Sequence, residues 1–204
     1  MPFSTKRVYF GDYVFFVDEN VYEPAEDSFL FAENLEVQEG ERVLDMGTGC
    51  GILGIVASKR AHEVIAVDVN PYAVRCAKYN SKVNDVLSKI ATVQGDLFTW
   101  LSENAKFDVI LFNAPYLPED GSASDSWINR AWAGGATGRQ IIDRFISDVP
   151  KYLMQSGRVL LMQSSLANVN ETVRRFADYH MRTRVLAKYD LPFFETLFLL
   201  EACF

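Results

Sequence analysis

From residue 41 onward, the chain alternates between short apolar runs and longer stretches in which apolar residues recur every three or four positions. Runs of the first kind are typical of buried strands, and the second spacing is typical of amphipathic helices. The predicted strands cover residues 42–46, 63–67, 91–94, 107–112, 157–163, 184–189 and 196–201. The predicted helices cover residues 52–60, 71–84, 138–153 and 168–179. This pattern predicts an α/β fold with a mostly parallel sheet covered on both faces and an antiparallel pair at one edge.

Two short alternating runs precede this pattern. Residues 8–10 and 13–17 flank Gly11-Asp12, which favours a tight hairpin turn. Pro24 then suits the first position of a helix, and the acidic residues after it suit the positive end of that helix. Helix capping alone explains these charges. We therefore expect residues 1–40 to form a hairpin and a helix that pack onto a single domain spanning residues 1–204.

Composition narrows the class of protein. A chain of 204 residues, 49% of them hydrophobic, can bury a core without metals or disulfides. No apolar run is long enough to span a membrane and no signal sequence is evident, which predicts a soluble, cytoplasmic protein. Cys50, Cys76 and Cys203 lack metal-ligand spacing and are expected to be reduced thiols, and we predict no metal site. The net charge of −7 argues against direct nucleic-acid binding, although it leaves the charge distribution open.

A glycine-rich loop, Met-Gly-Thr-Gly-Cys-Gly, joins the strand at 42–46 to the helix that follows it. This arrangement is typical of nucleotide-type sites in open α/β sheets. Gly47, Gly49 and Gly51 give Gly-x-Gly-x-Gly, whereas the dinucleotide fingerprint requires Gly-x-Gly-x-x-Gly. Asp45 adds a negative charge that favours a cationic ligand without phosphate, such as S-adenosylmethionine. A turn-stabilising carboxylate is the alternative role for Asp45.

Two further carboxylates follow the next two predicted strands. Asp68 lies about twenty residues after the loop, where an acidic residue can accept hydrogen bonds from both ribose hydroxyls of an adenosine. Asn70 and Pro71 are explained as the N-cap and first residue of a helix. Asp96 can cap a short helix or accept a hydrogen bond from an adenine amino group. Three acidic strand ends together favour the ligand.

Asn113-Ala114-Pro115-Tyr116 follows the fourth predicted strand, at the edge where open sheets bind ligands. The side-chain oxygen of Asn113 and the carbonyl of Ala114 can hold both hydrogens of a planar nitrogen and aim it at a methyl donor. Pro115 biases Ala114 towards an extended conformation, and Tyr116 offers a flat face to a planar group. An ordinary turn is the alternative for these four residues alone. Together with the acidic strand ends, they indicate methyl transfer without a strong general base.

The glycine loop, Asp68, Asp96 and the Asn-Ala-Pro-Tyr tetrad together resemble S-adenosylmethionine-dependent methyltransferases of the HemK/PrmC family, which have a seven-stranded Rossmann-like sheet. These enzymes methylate the glutamine side chain in the Gly-Gly-Gln motif of class I translation release factors. The similarity spans residues 20 to 165. It is closer to the short eukaryotic and archaeal branch, as shown by Val-Tyr-Glu-Pro-Ala-Glu-Asp-Ser at 21–28, Ala-Trp-Ala-Gly-Gly at 131–135, and Gly138-Arg139 followed by Asp143-Arg144-Phe145.

The resemblance implies a role for each matching position. The glycine loop would hold the methionine part of S-adenosylmethionine, Asp68 its ribose, and Asp96 with Leu97 its adenine; S-adenosylhomocysteine would be the product. The implied cofactor-binding residues are Ser28, Asp45, Gly47, Thr48, Gly49, Gly51, Asp68, Val69, Asp96, Leu97 and Asn113. The implied catalytic residues, which hold the acceptor amide, are Asn113, Ala114, Pro115 and Tyr116. Trp132 and the two glycines after it lie in segment 117–137, which lacks periodicity, and have either a substrate-channel or a structural role.

The resemblance also implies partners. A class I release factor would be the protein substrate, and members of this branch commonly work with a small zinc-binding activator subunit. The short segment before the glycine loop motivates the hypothesis that this chain needs one. Ala114 departs from the family pattern, which has proline there. Since the acceptor at that position is a backbone carbonyl, we expect activity to survive with a less rigid loop.

Three other functions are compatible with the sequence at this point. An adenine-N6 methyltransferase would present the same planar amine to the tetrad, but such enzymes usually bring basic surfaces to extract the base. Methylation of another protein or of a small molecule is harder to distinguish from methylation of a release factor. A cofactor-binding module without catalysis would have no reason to keep Asn113 and Tyr116.

Overall fold

A computed structural model describes residues 5–119 and 126–204 of the chain. Its strands are β1 (Thr5–Phe10), β2 (Tyr13–Asp18), β3 (Arg42–Met46), β4 (Glu63–Asp68), β5 (Ile90–Gln94), β6 (Phe107–Asn113), β7 (Leu153–Ser164), β8 (Arg182–Asp190) and β9 (Thr196–Cys203). Its helices are α1 (Glu26–Glu33), α2 (Ile52–Ala57), α3 (Pro71–Val83), α4 (Trp127–Arg130), α5 (Gln140–Asp148) and α6 (Val169–Asp178). None of these described helices is long and apolar enough to cross a lipid bilayer.

Seven strands form one sheet in the order β5-β4-β3-β6-β7-β9-β8. Strands β3 to β7 run parallel, and β9 is antiparallel to both β7 and β8. The predicted α/β fold with a seven-stranded sheet and an antiparallel edge is therefore confirmed. The chain moves outward from β3 to β5 and returns to β6 on the other side of β3. At such a reversal the connections diverge and leave a crevice at the carboxyl ends of the strands.

The central strands supply side chains to two hydrophobic cores, because successive residues of a strand point to opposite faces. Val43 and Val109 lie in the core that is shared with α1, α2, α3 and the N-terminal hairpin. Leu44 and Ile110 lie in the core that is shared with α5 and α6. Both faces of the sheet are thus covered, which explains why its central strands are almost continuously apolar.

The N-terminal hairpin, β1 with β2, is held by Asn80 of α3 and by Asn84, the residue that caps the C-terminal end of α3. Oδ1 of Asn80 accepts a hydrogen bond from the N–H of Phe16, and its Nδ2 donates to the Phe16 carbonyl, each over 2.9 Å. Asn84 makes the same pair of bonds with Val14, at 3.0 and 2.9 Å. Residues four apart on a helix share a face, as do residues two apart on a strand. The two amides therefore satisfy the exposed backbone edge of β2.

Several boundaries differ from the predicted ones, and three of the differences lie near the site. Helix α1 begins at Glu26 with Ala25 as its N-cap, so Pro24 precedes the helix instead of opening it. The predicted helix 138–153 ends at Asp148, because Pro150 has no N–H with which to continue the helical hydrogen bonds, and a 3-10 turn follows. Segment 117–137 contains α4 and a bridge between Leu117 and Ala133, while residues 1–4 and 120–125 lie outside the described residues.

Candidate active site

A cavity of about 440 Å³ opens where the strand order reverses, at the carboxyl ends of β3, β4 and β6. The start of α1, the residues Leu117 and Glu119, and residues between Trp127 and Ala133 form its other walls. The predicted site residues that line it are Ser28, Gly47, Thr48, Gly49, Asp68, Val69, Asp96, Leu97, Asn113, Ala114, Pro115 and Tyr116. Asp45 and Gly51 lie behind this wall and have supporting positions.

The glycines of the loop have different functions. Gly49 has a φ of 56°, and a Cβ there would meet no atom within 4 Å, so backbone conformation and not crowding requires glycine. Its N–H donates to Oδ2 of Asp68 over 2.9 Å. Gly51 has a φ of 92°, and a Cβ there would lie 3.1 Å from Cα of Ala77. Gly51 therefore lets α2 pack closely against α3, and the geometry gives no support to its predicted cofactor contact.

Asp45 lies beneath the loop and is 1% exposed. Its Oδ2 accepts hydrogen bonds from the Thr48 hydroxyl at 2.5 Å and from the Gly54 N–H at 2.9 Å, whereas Oδ1 is buried and unpaired within the described part of the chain. Burial raises the pKa of this carboxyl group to about 7, against the lowering effect of the two hydrogen bonds, and the neighbouring Asp68 adds to the rise. This arrangement matches the turn-stabilising alternative, because the carboxyl group ties the loop to α2 without facing the cavity.

Asp68 ends β4 on the cavity wall. Its Oδ1 accepts from the N–H of Asn70 and its Oδ2 accepts from the N–H of Gly49, each over 2.9 Å. Burial raises the pKa of this carboxyl group, and the backbone hydrogen bonds oppose the rise. Each carboxylate oxygen can accept a second hydrogen bond. Asp68 thus holds the glycine loop and keeps acceptor capacity for ribose hydroxyls, with the half-exposed Val69 beside it.

Asp96 and Leu97 follow β5. The carboxylate of Asp96 is paired with the guanidinium of Arg144 over 2.7 Å, a contact between side chains that are both about half exposed. Leu97 is buried and has a φ of 47°, a left-handed conformation that costs a non-glycine residue about 1–2 kcal/mol. Such strain clusters at ligand sites. The pairing with Arg144 occupies one Asp96 oxygen, so its contact with an adenine amino group stays a prediction.

Asn113 is the last residue of β6 and faces the cavity. Its Nδ2 donates to Oδ2 of Asp27 over 3.0 Å and to Oγ of Ser28 over 3.3 Å. Because a carboxylate only accepts hydrogen bonds, Asp27 fixes which end of the Asn113 amide faces α1. The other end, Oδ1, is buried and has no hydrogen-bond partner among the described residues. An unpaired buried acceptor costs about 1–3 kcal/mol, so this atom marks the position of a ligand donor.

Tyr116 completes the tetrad beside Asn113. Its hydroxyl donates to Oδ2 of Asp27 over 3.3 Å, and the Tyr22 hydroxyl donates to Oδ1 of the same carboxylate over 3.1 Å. Burial and the negative charge of Asp27 raise the pKa of both phenols well above the usual range. Both tyrosines therefore stay protonated and hold their rings in place. Ala114 is buried between Asn113 and Pro115.

Asp27 was missed as a site residue, because helix capping sufficed to explain its charge. It is 5% exposed and accepts hydrogen bonds from the side chains of Tyr22, Ser28, Asn113 and Tyr116. One signal was present in the sequence. Asp27 stands four residues before the apolar Phe31, and residues four apart share one face of a helix, so a core-facing Phe31 places Asp27 on the inner face.

Trp132 lies on the same wall, with its ring edge-on to Tyr22 at a centroid distance of 6.4 Å. The N–H of Leu117 donates to the Trp132 carbonyl over 2.9 Å, which joins the two sides of this segment. Gly138 has a φ of 70°, and a Cβ there would come within 2.3 Å of the Tyr116 carbonyl. Trp132 therefore lines the cavity. Gly138, which follows this segment, packs against the tetrad.

Arg139 anchors the far end of this segment. It is 7% exposed, and its guanidinium donates to the carbonyls of Ala167 and Asn168 after β7. It also forms an ion pair with Asp143 over 2.7 Å. All of these contacts lie within the fold, while Nε is buried without a hydrogen-bond partner among the described residues. Arg139 does not line the cavity and stabilises its wall.

A cleft at the reversal point of such a sheet, with a buried unpaired acceptor on Asn113 beside it, fits the class of protein that the sequence motifs resemble, a methyltransferase with an open seven-stranded sheet. The chain belongs to the methyltransferase small domain family, whose sequence profile matches residues 22–190.

Two relatives are similar over most of the chain. A protein from Methanocaldococcus jannaschii, which carries the provisional name protein N5-glutamine methyltransferase, is 42% identical over 179 residues, or 87% of this chain and 89% of the relative. Methyltransferase HEMK2 of Homo sapiens is 33% identical over 168 residues, or 76% of this chain and 77% of the relative.

Solved structures with the same fold include two of particular interest. Mtq2 of E. cuniculi, solved with Trm112 as the complex responsible for methylating the eRF1 translation termination factor, is 26% identical with a TM-score of 0.67, and the match covers 90% of this chain and 98% of that one. The 16S rRNA N2 G1207 methyltransferase of T. Thermophilus, solved with AdoMet and guanosine, has a TM-score of 0.73 at 19% identity and covers 98% of this chain and 50% of that one. At that identity the second match shows the fold alone.

Proposed function

We propose that this methyltransferase transfers a methyl group to the side-chain amide nitrogen of a glutamine in a class I translation release factor. The observation that carries the proposal is the unpaired Oδ1 of Asn113, which is buried beside the cavity while Asp27 holds the opposite end of the amide. Glutamine methylation in the names of the relatives supports the same substrate class.

The geometry around Asn113 suits a neutral primary amide. Such a group brings two N–H donors and a planar body, so it needs acceptors and a flat surface. Oδ1 of Asn113 is an acceptor at the right edge of the sheet, and the ring of Tyr116 lies next to it. A carboxylate substrate would meet the negative charge of Asp27 and is disfavoured. The residues bind and orient the nitrogen, and positioning supplies the rate enhancement.

We propose S-adenosylmethionine as the methyl donor and S-adenosylhomocysteine as the product. When bound, this cofactor supplies an electrophilic methyl group. The residues around the cavity fit it: the backbone of Gly47 and Gly49 leaves room for a close approach, and Asp68 has acceptor capacity for the ribose. Ser28 approaches from α1, and Thr48 lies on the loop.

We propose that a small activator subunit assists this chain. The Mtq2 structure was solved with Trm112 as a complex, and the resemblance to that branch implies that such a subunit binds zinc. Purification tests the need for it. Full activity of the monodisperse chain on its own would show that no obligate partner is required.

The substrate assignment is tested by incubating the chain with labelled S-adenosylmethionine and a class I release factor, with and without a candidate activator. Mass spectrometry then locates the added methyl group. We expect it on the glutamine of the Gly-Gly-Gln motif. Label absent from that glutamine under both conditions would overturn the assignment. An adenine-containing oligonucleotide in parallel separates it from adenine-N6 methylation, which the net charge of −7 disfavours.

A further inference from the structure

Two consecutive phenylalanines lie at the tip of the hairpin that joins β8 to β9. Phe193 is 97% exposed and Phe194 is 103% exposed, more than any other large hydrophobic residue described. The N–H of Leu191 donates to the carbonyl of Glu195 over 2.8 Å and closes the turn beneath them. The fold thus holds two aromatic side chains in solvent on an ordered turn.

Two phenylalanines at these positions are unfavourable for two reasons, their backbone conformation and their exposure. Phe193 has a φ of 62° and Phe194 has a φ of 65°, so both are left-handed. Hairpin turns that need positive φ at two positions favour Asn-Gly, and a bulky residue in that region costs about 1–2 kcal/mol. Two aromatic rings left in water also forgo the stabilisation that their burial would give. Neither feature stabilises the fold, which points to a function of the two residues other than stability.

The tip lies at the ligand-binding edge of the sheet. Ser164, the last residue of β7, pairs with Leu197 of β9, and the N–H of Thr196 donates to Oγ of Ser165 over 3.0 Å. The hairpin therefore projects from the same edge as the tetrad at the end of β6. Glu195 is close enough to Tyr116 for its charge to add to the raised pKa of that phenol. The aromatic pair directly precedes Glu195 in the chain and so lies at the same edge of the sheet as Asn113 and Tyr116.

The charges next to the pair exclude partners rich in phosphate. The charged residues nearest in the hairpin are Asp190 and Glu195, both acidic, and the chain carries a net charge of −7. Nucleic acids and anionic lipid surfaces are bound through basic residues. An apolar pocket on a folded protein is the complementary surface, since buried aromatic anchors dominate the binding energy of protein interfaces.

We propose that Phe193 and Phe194 form a docking knob that inserts into an apolar pocket of the protein substrate, next to the loop that carries its acceptor side chain. This inference rests on the proposed function and adds to it a second contact that selects the folded substrate. The knob gives affinity, and the tetrad positions the amide.

The test replaces the pair with the residues that the turn favours, in the double variant Phe193→Asn/Phe194→Gly. Steady-state kinetics are measured on the full release factor and on a short peptide containing Gly-Gly-Gln, together with direct binding of the release factor. We expect the KM for the release factor to rise about tenfold or more, as for a lost interface anchor, with kcat unchanged. The peptide kinetics and the affinity for S-adenosylmethionine should not change. Met154→Gln, which alters an exposed hydrophobic residue at the start of β7, is the matched control and should leave the KM unchanged.

Each other outcome decides against one of the two proposals. An unchanged KM for the release factor in the double variant overturns the docking knob and leaves the proposed function standing. If the wild-type chain methylates neither release factor nor peptide, the proposed function fails, and direct binding then tests the docking knob. Selective loss of release-factor binding in the variant supports the docking knob. Equal binding by both proteins, or no binding by either, overturns it. Loss of vesicle binding or of self-association in the variant, with the KM unchanged, would assign the pair to a membrane or to a second copy.

Discussion

The side-chain amide of Asn113 lies 3.0 Å from the carboxylate of Asp27, a contact between residues 86 positions apart in the chain. It joins the end of β6 to the first turn of α1. The acceptor oxygen of Asn113 is oriented only while α1 is in place, because no other described residue holds its Nδ2 except Ser28, on the same helix. The N-terminal helix is therefore part of the proposed acceptor site.

Asp27→Asn should lower kcat about 100-fold, because the new amide can present a donor to Asn113 and no longer fixes its orientation. The affinity for S-adenosylmethionine should change little, since Asp27 contacts the acceptor side of the cleft. Steady-state kinetics and calorimetric titration measure the two effects. Glu26→Gln, in the same helical turn but exposed, is the matched control. Equal loss of kcat in both variants would mean that charge near the helix start matters, and not the contact.

Asn113→Ala should abolish detectable methyl transfer and leave cofactor affinity nearly unchanged. The substitution removes the acceptor that we propose holds the substrate nitrogen, whereas the glycine loop and Asp68 remain in place. Activity is followed with labelled methyl donor, and cofactor binding by titration. A variant that no longer binds S-adenosylmethionine would show that Asn113 has been assigned the wrong role.

The part of the site that follows from the order and direction of the strands could be predicted from the sequence. Parallel strands end at one edge, so the residues after each strand, including Asp68 and Asn113, were expected together and do line one cavity. What separates Asp45 from Asp68 is burial beneath the loop, and periodicity carries no information on that. The ion pair of Asp96 with Arg144 joins distant elements and likewise has no local signal.

The stability of Asp45→Asn should differ from that of the wild type in a way that depends on pH. The native pKa of Asp45 is raised to about 7, so the native protein keeps a proton that the unfolded chain releases. Its contribution to stability is fully present below the unfolded pKa and is lost as pH rises through the native pKa. The free energy of unfolding of the wild type, relative to the variant, should fall by up to about 1.4 kcal/mol per pH unit between roughly pH 5 and pH 7.

Urea unfolding at several pH values measures this difference. Asp68, whose pKa is also raised, is present in both proteins, so most of its contribution cancels. A difference that stays constant over this range would show that Asp45 is ionised throughout.

Asn80→Ala should lower the free energy of unfolding by about 3 kcal/mol, because it leaves buried backbone groups unpaired. Asn80 is fully buried and serves the N–H and carbonyl of Phe16 as well as the carbonyl of Cys50 in the glycine loop. Asn84→Ala is the graded control. Asn84 is only half buried, so water can replace its bonds to Val14 and the loss should be smaller. Denaturant unfolding compares the two, and equal losses would contradict this account.

Ala114→Pro restores the residue usual in the resembling family and should leave kcat within a few-fold of the wild type. Asn113 lies at the end of a strand, and the extended conformation is the one that a following proline favours. The measurement is kcat on the release factor at saturating cofactor. A large gain would mean that rigidity of this turn limits the native enzyme.

The position of β9 bears on how the protein is made. β9 follows β8 in sequence but lies between β7 and β8 in the sheet. On the ribosome, residues 182–190 therefore emerge before the strand that they pair with, and they stay unpaired until residues 196–203 have left the exit tunnel. The ligand-binding edge, at which the hairpin tip lies, is completed only after β9 has been synthesised.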